Sequence, residues 1–255
     1  MRATMNGRLK IVVPSFNSVK YLPKTLHSIE MQRFSKPFDV CVIDDASTLP
    51  EQRTILTHFC QKNGWQSIFH STNQGALVSL VDGIQALNCQ ENDVIIVLDG
   101  DDWLAHDQVL TFLDQIYQDP EIYLTYGSFE SHPPHCLNIT YATPLPREVI
   151  ELQLYRQIPW IFQHPRTFRF HLWQRLNQED LKDEAGNYYK ISGDRAFFYP
   201  LLEMSGFHTH FINQILYIYN LENPLNDHKI DRQEQVDVEW AIKMRKKYAP
   251  LDSKI

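Results

Sequence analysis

The strongest constraint on the fold is a repeated spacing in the first half of the chain. Short apolar runs recur at Leu9 to Val13, Val40 to Ile43, Ser67 to His70, Val94 to Leu98 and Ile122 to Tyr126, each about the length of a buried strand. The stretches between them have helical period. Leu22, Leu26 and Ile29 share one face after the capping candidates Asn17 and Ser18. Leu77, Leu80, Val81, Ile84 and Leu87 share another between Ala76 and Asn88, and Val109, Leu110, Leu113 and Ile116 a third. Strand and helix alternating in this way predict an α/β chain with right-handed crossovers, a mainly parallel central sheet and helices on both faces. In such a sheet ligands bind outside the carboxyl ends of the strands.

The second half is irregular and rich in aromatics and prolines. Helices are expected at about Arg147 to Tyr155, Thr167 to Leu176 and Arg195 to Met204, a strand at Phe211 to Tyr219, a loop at Asn223 to Lys229 and a charged terminal helix from Arg232. No internal repeat or linker is evident, so residues 1–255 read as one domain. A half of about 1–126 is followed by an elaborated half of about 127–230 and a terminal helix at about 231–255. Hydrophobic residues are 43% of the chain, enough for a sizeable core. The net charge of −7 argues against a general nucleic-acid binder, which would carry a basic stripe. The cysteines, Cys41, Cys60, Cys89 and Cys136, form no CxxC pair, so a reducing compartment is the simplest expectation. Pro14 interrupts the first apolar run, and no stretch reaches the ~20 apolar residues needed to cross a bilayer. The expectation is a cytoplasmic protein, resting on a membrane surface if its acceptor lies there.

The residues just past the strand ends carry the chemistry. Pro14-Ser15-Phe16-Asn17 follows the first run, Asp44-Asp45-Ala46-Ser47 the second, Asn73-Gln74-Gly75 the third and Asp99-Gly100-Asp101-Asp102 the fourth. Carboxylates crowded on one sheet edge require a cation or hydrogen-bond donors. Mg²⁺ and Mn²⁺ take hard oxygen ligands, commonly one or two carboxylates plus substrate phosphates, and an Asp-Gly-Asp turn meets that need. The same turn could simply cap the next helix. Asp44 and Asp45 could accept hydrogen bonds from a nucleobase or ribose, or form a turn and cap.

Taken in order, Ile11-Val12-Val13-Pro14-Ser15-Phe16-Asn17, Leu26-x-Ser28-Ile29, Val42-Ile43-Asp44-Asp45-Ala46-Ser47, Asn73-Gln74-Gly75 and Val97-Leu98-Asp99-Gly100-Asp101-Asp102-Trp103-Leu104 resemble the motif series of glycosyltransferase family 2. The resemblance covers about the first 105 residues. It implies a GT-A fold, a nucleotide-diphosphate sugar donor (UDP-linked as the leading expectation), a divalent metal and inversion at the anomeric carbon. It places Pro14, Phe16, Asn17, Asp44 or Asp45, Asn73, Gly75, Asp99 and Gly100 on the donor and Asp101 on the metal. Gly75 is followed by Ala76, Leu77, Val78 and Ser79 rather than the basic residue many relatives carry. Positive charge for the nucleotide must therefore come from elsewhere.

In the second half the resemblance is local. Ile191-Ser192-Gly193-Asp194-Arg195-Ala196 is similar to the segment that supplies the general base, with Asp194 at the base position and Gly193 where a Glu is usual. Asp194 could also be the N-cap of the following helix. His228 resembles a late histidine that completes the metal shell, and Lys229 offers charge to the leaving diphosphate. His164 and His171 flank Arg166, Arg169 and Arg175, a stretch that reads more readily as a solvated helix face than as an anion site. The acceptor expected is a hydroxyl on a saccharide, a lipid-linked saccharide or another molecule. The alternatives are a binding-only relative without turnover and a sugar-nucleotide pyrophosphorylase; the latter would need a Gly-rich basic loop after the first strand, where Pro14-Ser15-Phe16-Asn17 stands.

Overall fold

The computed structural model describes residues 7–134, 142–224 and 232–251. Strand β1 (Leu9–Ser15) is buried at every position and paired in parallel on both edges, with β2 (Asp39–Asp44) and β4 (Val94–Val97). A strand covered on both faces must be apolar throughout, which is why these segments read as continuous hydrophobic runs. β3 (Gln66–Phe69) adds in parallel to β2. Strands β5 (Trp103–Leu104), β6 (Leu124–His132), β7 (Gln163–Arg169) and β8 (Thr209–Asn220) complete one eight-stranded sheet in the order β3-β2-β1-β4-β7-β6-β8-β5. β6 and β8 are also parallel, whereas β7 runs antiparallel to both neighbours and β5 antiparallel to β8.

The helices divide between the two faces. α1 (Leu22–Glu30), α2 (Pro50–Asn63) and α4 (Val109–Ile116) cover the face that carries Ile11, Val13, Val40, Val42 and Ile96. α3 (Ala76–Ala86), α6 (Phe170–Arg175) and α7 (Gly193–Ser205) cover the face of Val12, Cys41, Ile43, Ile95 and Val97. The period-2 alternation of strand side chains thus supplies both cores. Two further helices, α5 (Arg147–Glu151) and α8 (Arg232–Met244), lie in the second half. Among the described residues no helix is long and apolar enough to cross a membrane.

The alternating first half follows the sequence reading, with differences at the ends. α1 begins at Leu22 with Tyr21 as N-cap and no side-chain cap, so Asn17 and Ser18 do not cap it. The carbonyl of Ser18 instead closes the turn that leads into the helix. In the second half the helix expected at Thr167 to Leu176 is corrected. Its first part belongs to β7, inserted between β4 and β6, and only Phe170–Arg175 is helical. The solvated face expected for its basic residues is corrected for His164, Arg166, Arg169 and His171, which are all buried, and holds for Arg175, which is exposed. The Arg169 guanidinium is satisfied by the carbonyls of Tyr117, Asp119 and Ile122.

One buried ion pair joins the later elements. The Arg156 guanidinium meets both carboxylate oxygens of Glu203 in α7, at 2.6 and 2.8 Å, and reaches the carbonyls of Ile242 and Arg245 near the end of α8. Glu203 is fully buried and also accepts the N–H of Tyr248. Removing one partner strands the other charge without solvent. Glu203→Ala is expected to cost about 3–5 kcal/mol of stability in urea unfolding; a loss below about 1 kcal/mol, the range of an exposed pair, would show that the pair has no structural role.

Candidate active site

At the carboxyl ends of β1, β2 and β4 the five aspartates expected from the sequence have unequal roles. Asp45 is buried, and its carboxylate accepts the N–H groups of Gln74 at 2.9 Å and Gly75 at 2.7 Å while facing His70 Nδ1 at 2.7 Å. It therefore fixes the turn between β3 and α3, including Gly75 at a positive φ of 96°, a conformation that favours glycine. Asp44 accepts from the Ser47 N–H and from Gln52, whose amide also reaches Ser15. Asn17, at φ 47°, receives the Thr48 N–H on its side-chain oxygen, so the first two turns are tied together. Phe16 and Asn73 stand exposed on this edge, and Pro14 is buried beneath it.

The Asp99-Gly100-Asp101-Asp102 turn lies beside the end of β1. Gly100 donates to the Pro14 carbonyl at 2.9 Å, and a Cβ placed on Gly100 would fall 2.7 Å from Ser15 Cβ and 2.8 Å from the Pro14 carbonyl oxygen. Only glycine permits that approach. Asp102 is buried, accepting from Tyr217 Oη and the Asn220 N–H, each at 2.7 Å. Burial first, then the neighbouring Asp101 and Asp99, push its carboxyl well above the usual range. Asp99 is 40% exposed, and Asp101 accepts from the Asn223 amide at 2.7 Å. These two are the hard oxygen donors that the turn presents. Among the described residues no three His, Cys, Asp or Glu side chains group to hold a metal ion. The donors present fit a divalent cation that takes its remaining ligands from substrate phosphates.

β7 connects this turn to the second half. Across the antiparallel ladder Arg166 is the partner of Val97. Two residues earlier, His164 Nε2 lies 3.9 Å from Asp99 Oδ2. Burial and the Arg166 charge hold His164 well below the usual imidazole range, so this contact is not an ion pair near neutral pH. Arg166, buried and bonded to the Phe162 carbonyl at 2.9 Å, meets Asp194 Oδ2 at 3.0 Å. Asp194 is 36% exposed and is the second residue of α7. The N-cap is Ser192, at φ 55°, which corrects the capping alternative for Asp194. Gly193 packs on α3: a Cβ there would be 3.0 Å from Leu77 Cβ.

Several contributors escaped the sequence reading. Arg166 looked solvated, and nothing local links it to Asp194, 28 residues away (194 − 166). Lys190 was not singled out; it is exposed, and its Cα and Cγ lie 3.7 Å from where a Cβ on Gly75 would stand. The base of a lysine side chain thus lies beside the turn whose own sequence lacks a basic residue. Trp160, half-buried, lies within 5.3 Å of the Arg166 guanidinium and 5.1 Å of that of Arg195, while Trp103, Phe162 and Trp173 are core residues. His228 and Lys229 lie outside the described residues.

Comparison with known proteins gives a consistent answer. An uncharacterized glycosyltransferase of Haemophilus influenzae is 30% identical over 139 residues, which are 53% of this chain and 43% of that protein. S. aureus TarS 1-349 in complex with UDP-GlcNAc superposes with a TM-score of 0.67 at 16% identity, over 92% of this chain and 65% of that fragment. The mannosyltransferase PcManGT of Pyrobaculum calidifontis, in complex with GDP-Man and Mn²⁺, gives a TM-score of 0.65 at 16% identity, over 97% of this chain and 67% of that one. The chain thus spans less than half of the Haemophilus relative, somewhat under two thirds of the TarS 1-349 fragment and 37% of the longer TarS structure. These structures share its GT-A fold. Residues 10–176 match Glycosyl transferase family 2, well over half of the chain, and the protein belongs to that family.

Proposed function

We propose that this chain is a metal-dependent, inverting glycosyltransferase that moves a sugar from a nucleotide-diphosphate sugar, UDP-linked, to a hydroxyl acceptor in polysaccharide or glycoconjugate synthesis. The acceptor is a saccharide or lipid-linked saccharide taken from the cytoplasm or from a membrane surface. The observation that carries the reading is the bridge made by β7. His164 and Arg166, two residues apart on one strand, lie against Asp99 of the donor-side turn and Asp194 of the acceptor side respectively. Nucleotide sugars bound to TarS and PcManGT support the donor class.

In this reading Asp45 and Asp44 shape the pocket for the base, with Pro14, Phe16, Asn17, Asn73 and Gly75 around it, and Asp99 and Gly100 line the sugar–phosphate side. Asp101 holds the divalent cation, Mn²⁺ or Mg²⁺, with His228 as a further ligand. Bound there, the cation supplies Lewis-acid stabilisation of charge on the departing diphosphate. Lys229 and Lys190 add positive charge against the same phosphates. Asp194, held by Arg166, accepts the proton of the acceptor hydroxyl as that oxygen attacks the anomeric carbon on the face opposite the nucleotide. Gly193 is consistent with turnover, because the absent side chain is accounted for by packing on Leu77 rather than by loss of the base.

Calorimetric titration with UDP in Mn²⁺, paired with an assay of UDP-sugar hydrolysis and transfer, tests the assignment. Asp101→Asn is expected to abolish the metal-dependent part of UDP binding; unchanged binding removes Asp101 from the metal site. Asp194→Asn should keep wild-type nucleotide affinity while transfer falls by roughly 10²-fold or more, and full activity would exclude it as the base. Lys190→Ala should weaken UDP binding by roughly tenfold, the worth of one charge-assisted hydrogen bond, with an unchanged titration returning it to the surface. Tight metal-dependent binding by the wild type with neither hydrolysis nor transfer would favour a binding-only protein.

A further inference from the structure

The end of β8 grips the aspartate turn at three places. The Tyr217 hydroxyl accepts the Asp99 N–H at 3.2 Å and donates to Asp102 Oδ2 at 2.7 Å, spanning both ends of the turn. Asp102 Oδ1 accepts the Asn220 N–H at 2.7 Å, and the Asn223 amide donates to Asp101 Oδ2 at 2.7 Å. Tyr217 and Asn220 are fully buried and Asn223 is 6% exposed, so the two bonds to Asp102 are made away from competing water and the other two at the edge of the turn. The Tyr217 ring is itself fixed, stacked on His164 with centroids 4.4 Å apart and planes 25° from parallel. Immediately after the turn, β5 pairs back onto β8, with Leu104 opposite Tyr217. On its other side the turn is held by the bond from Gly100 to Pro14.

A carboxylate that must share a cation with substrate phosphates works only within a narrow range of position and orientation. We propose that Tyr217 and Asn223 are positioning residues of the donor site. Tyr217 fixes the backbone of the turn, and Asn223 sets the orientation of the Asp101 carboxylate by holding one of its oxygens. The inference rests on the metal role assigned to Asp101 above. It adds two residues, neither of which is acidic or part of the aspartate motif, to the machinery that makes that motif competent.

Two measurements on the full chain test it. The first is amide exchange of the ligand-free protein by mass spectrometry. Tyr217→Phe, which keeps the ring and its stacking, is expected to raise exchange in the 98–104 peptide by roughly tenfold, the loss of about one hydrogen bond, with β1 and β2 unchanged. The second is UDP titration with Mn²⁺ and, separately, with EDTA. Tyr217→Phe and Asn223→Ala should each weaken Mn²⁺-dependent binding by roughly tenfold while leaving binding in EDTA within about twofold of wild type. Asn223→Ala lies beyond the strand and keeps the test open if Tyr217→Phe folds poorly. Unchanged exchange in 98–104 overturns the backbone role of Tyr217. Metal-dependent affinities matching wild type in both variants overturn the positioning role, even where exchange rises. Equal UDP binding by the wild type in Mn²⁺ and EDTA overturns the metal assignment itself, which distinguishes failure of that reading from failure of this one.

Discussion

Because Val97 pairs with Arg166 across the antiparallel ladder of β4 and β7, the strand that ends in the aspartate turn lies directly against the strand that holds Asp194. The rest of the candidate site depends on this pairing. The parallel strands β1, β2 and β4 alone would deliver a nucleotide edge with nothing opposite it. β7 enters from the second half of the chain, runs the other way, and places a neutral buried imidazole at Asp99 and a buried guanidinium at Asp194. Burying an arginine is costly unless its donors are satisfied. The Phe162 carbonyl and the Asp194 carboxylate do this for Arg166, and the same bonds fix its direction.

The crowd of acidic residues at the sheet edge also becomes less severe once partners are counted. Asp45 is met by two backbone N–H groups and a histidine, Asp44 by a backbone N–H and a glutamine, and Asp102 by a tyrosine and a backbone N–H. These three are structural anchors as much as charges. Asp99, 40% exposed, and Asp101, which accepts from the Asn223 amide, are the carboxylates at the rim of the turn. Hydrogen-bond donors of the chain answer most of the repulsion that composition implied.

Much of this was legible in the chain itself, and the divide is physical. In the first half, burial on both faces makes β1, β2 and β4 continuous apolar runs and burial on one face gives α3 and α4 a period of 3.6, so these elements could be read from local spacing, with polar turns following the strands. β7 could not be read in that way. Its His164, Arg166 and Arg169 look solvated until their carbonyl and carboxylate partners, up to 77 residues away in the chain (Arg169 to Asn92), are brought to them by the fold. The local motif singles out Asp194 as a candidate, but its tether to Arg166 is a long-range fact. The same holds for Lys190, whose relation to Gly75 exists only in three dimensions.

The contact of Gly193 with Leu77 has a consequence for the geometry of catalysis. α3 follows the Asn73-Gln74-Gly75 turn and α7 carries Asp194, so under the proposed function the closeness of these two helices sets the gap across which a proton acceptor and a bound donor face one another. At that point the gap is defined by a missing side chain: a Cβ at 193 would stand 3.0 Å from Leu77 Cβ, tighter than ordinary van der Waals contact, so Leu77 would have to give by a few tenths of an ångström. The position of Asp194 against α3 thus depends on a neighbour that contributes no chemical group, and the cleft is gauged by an absence.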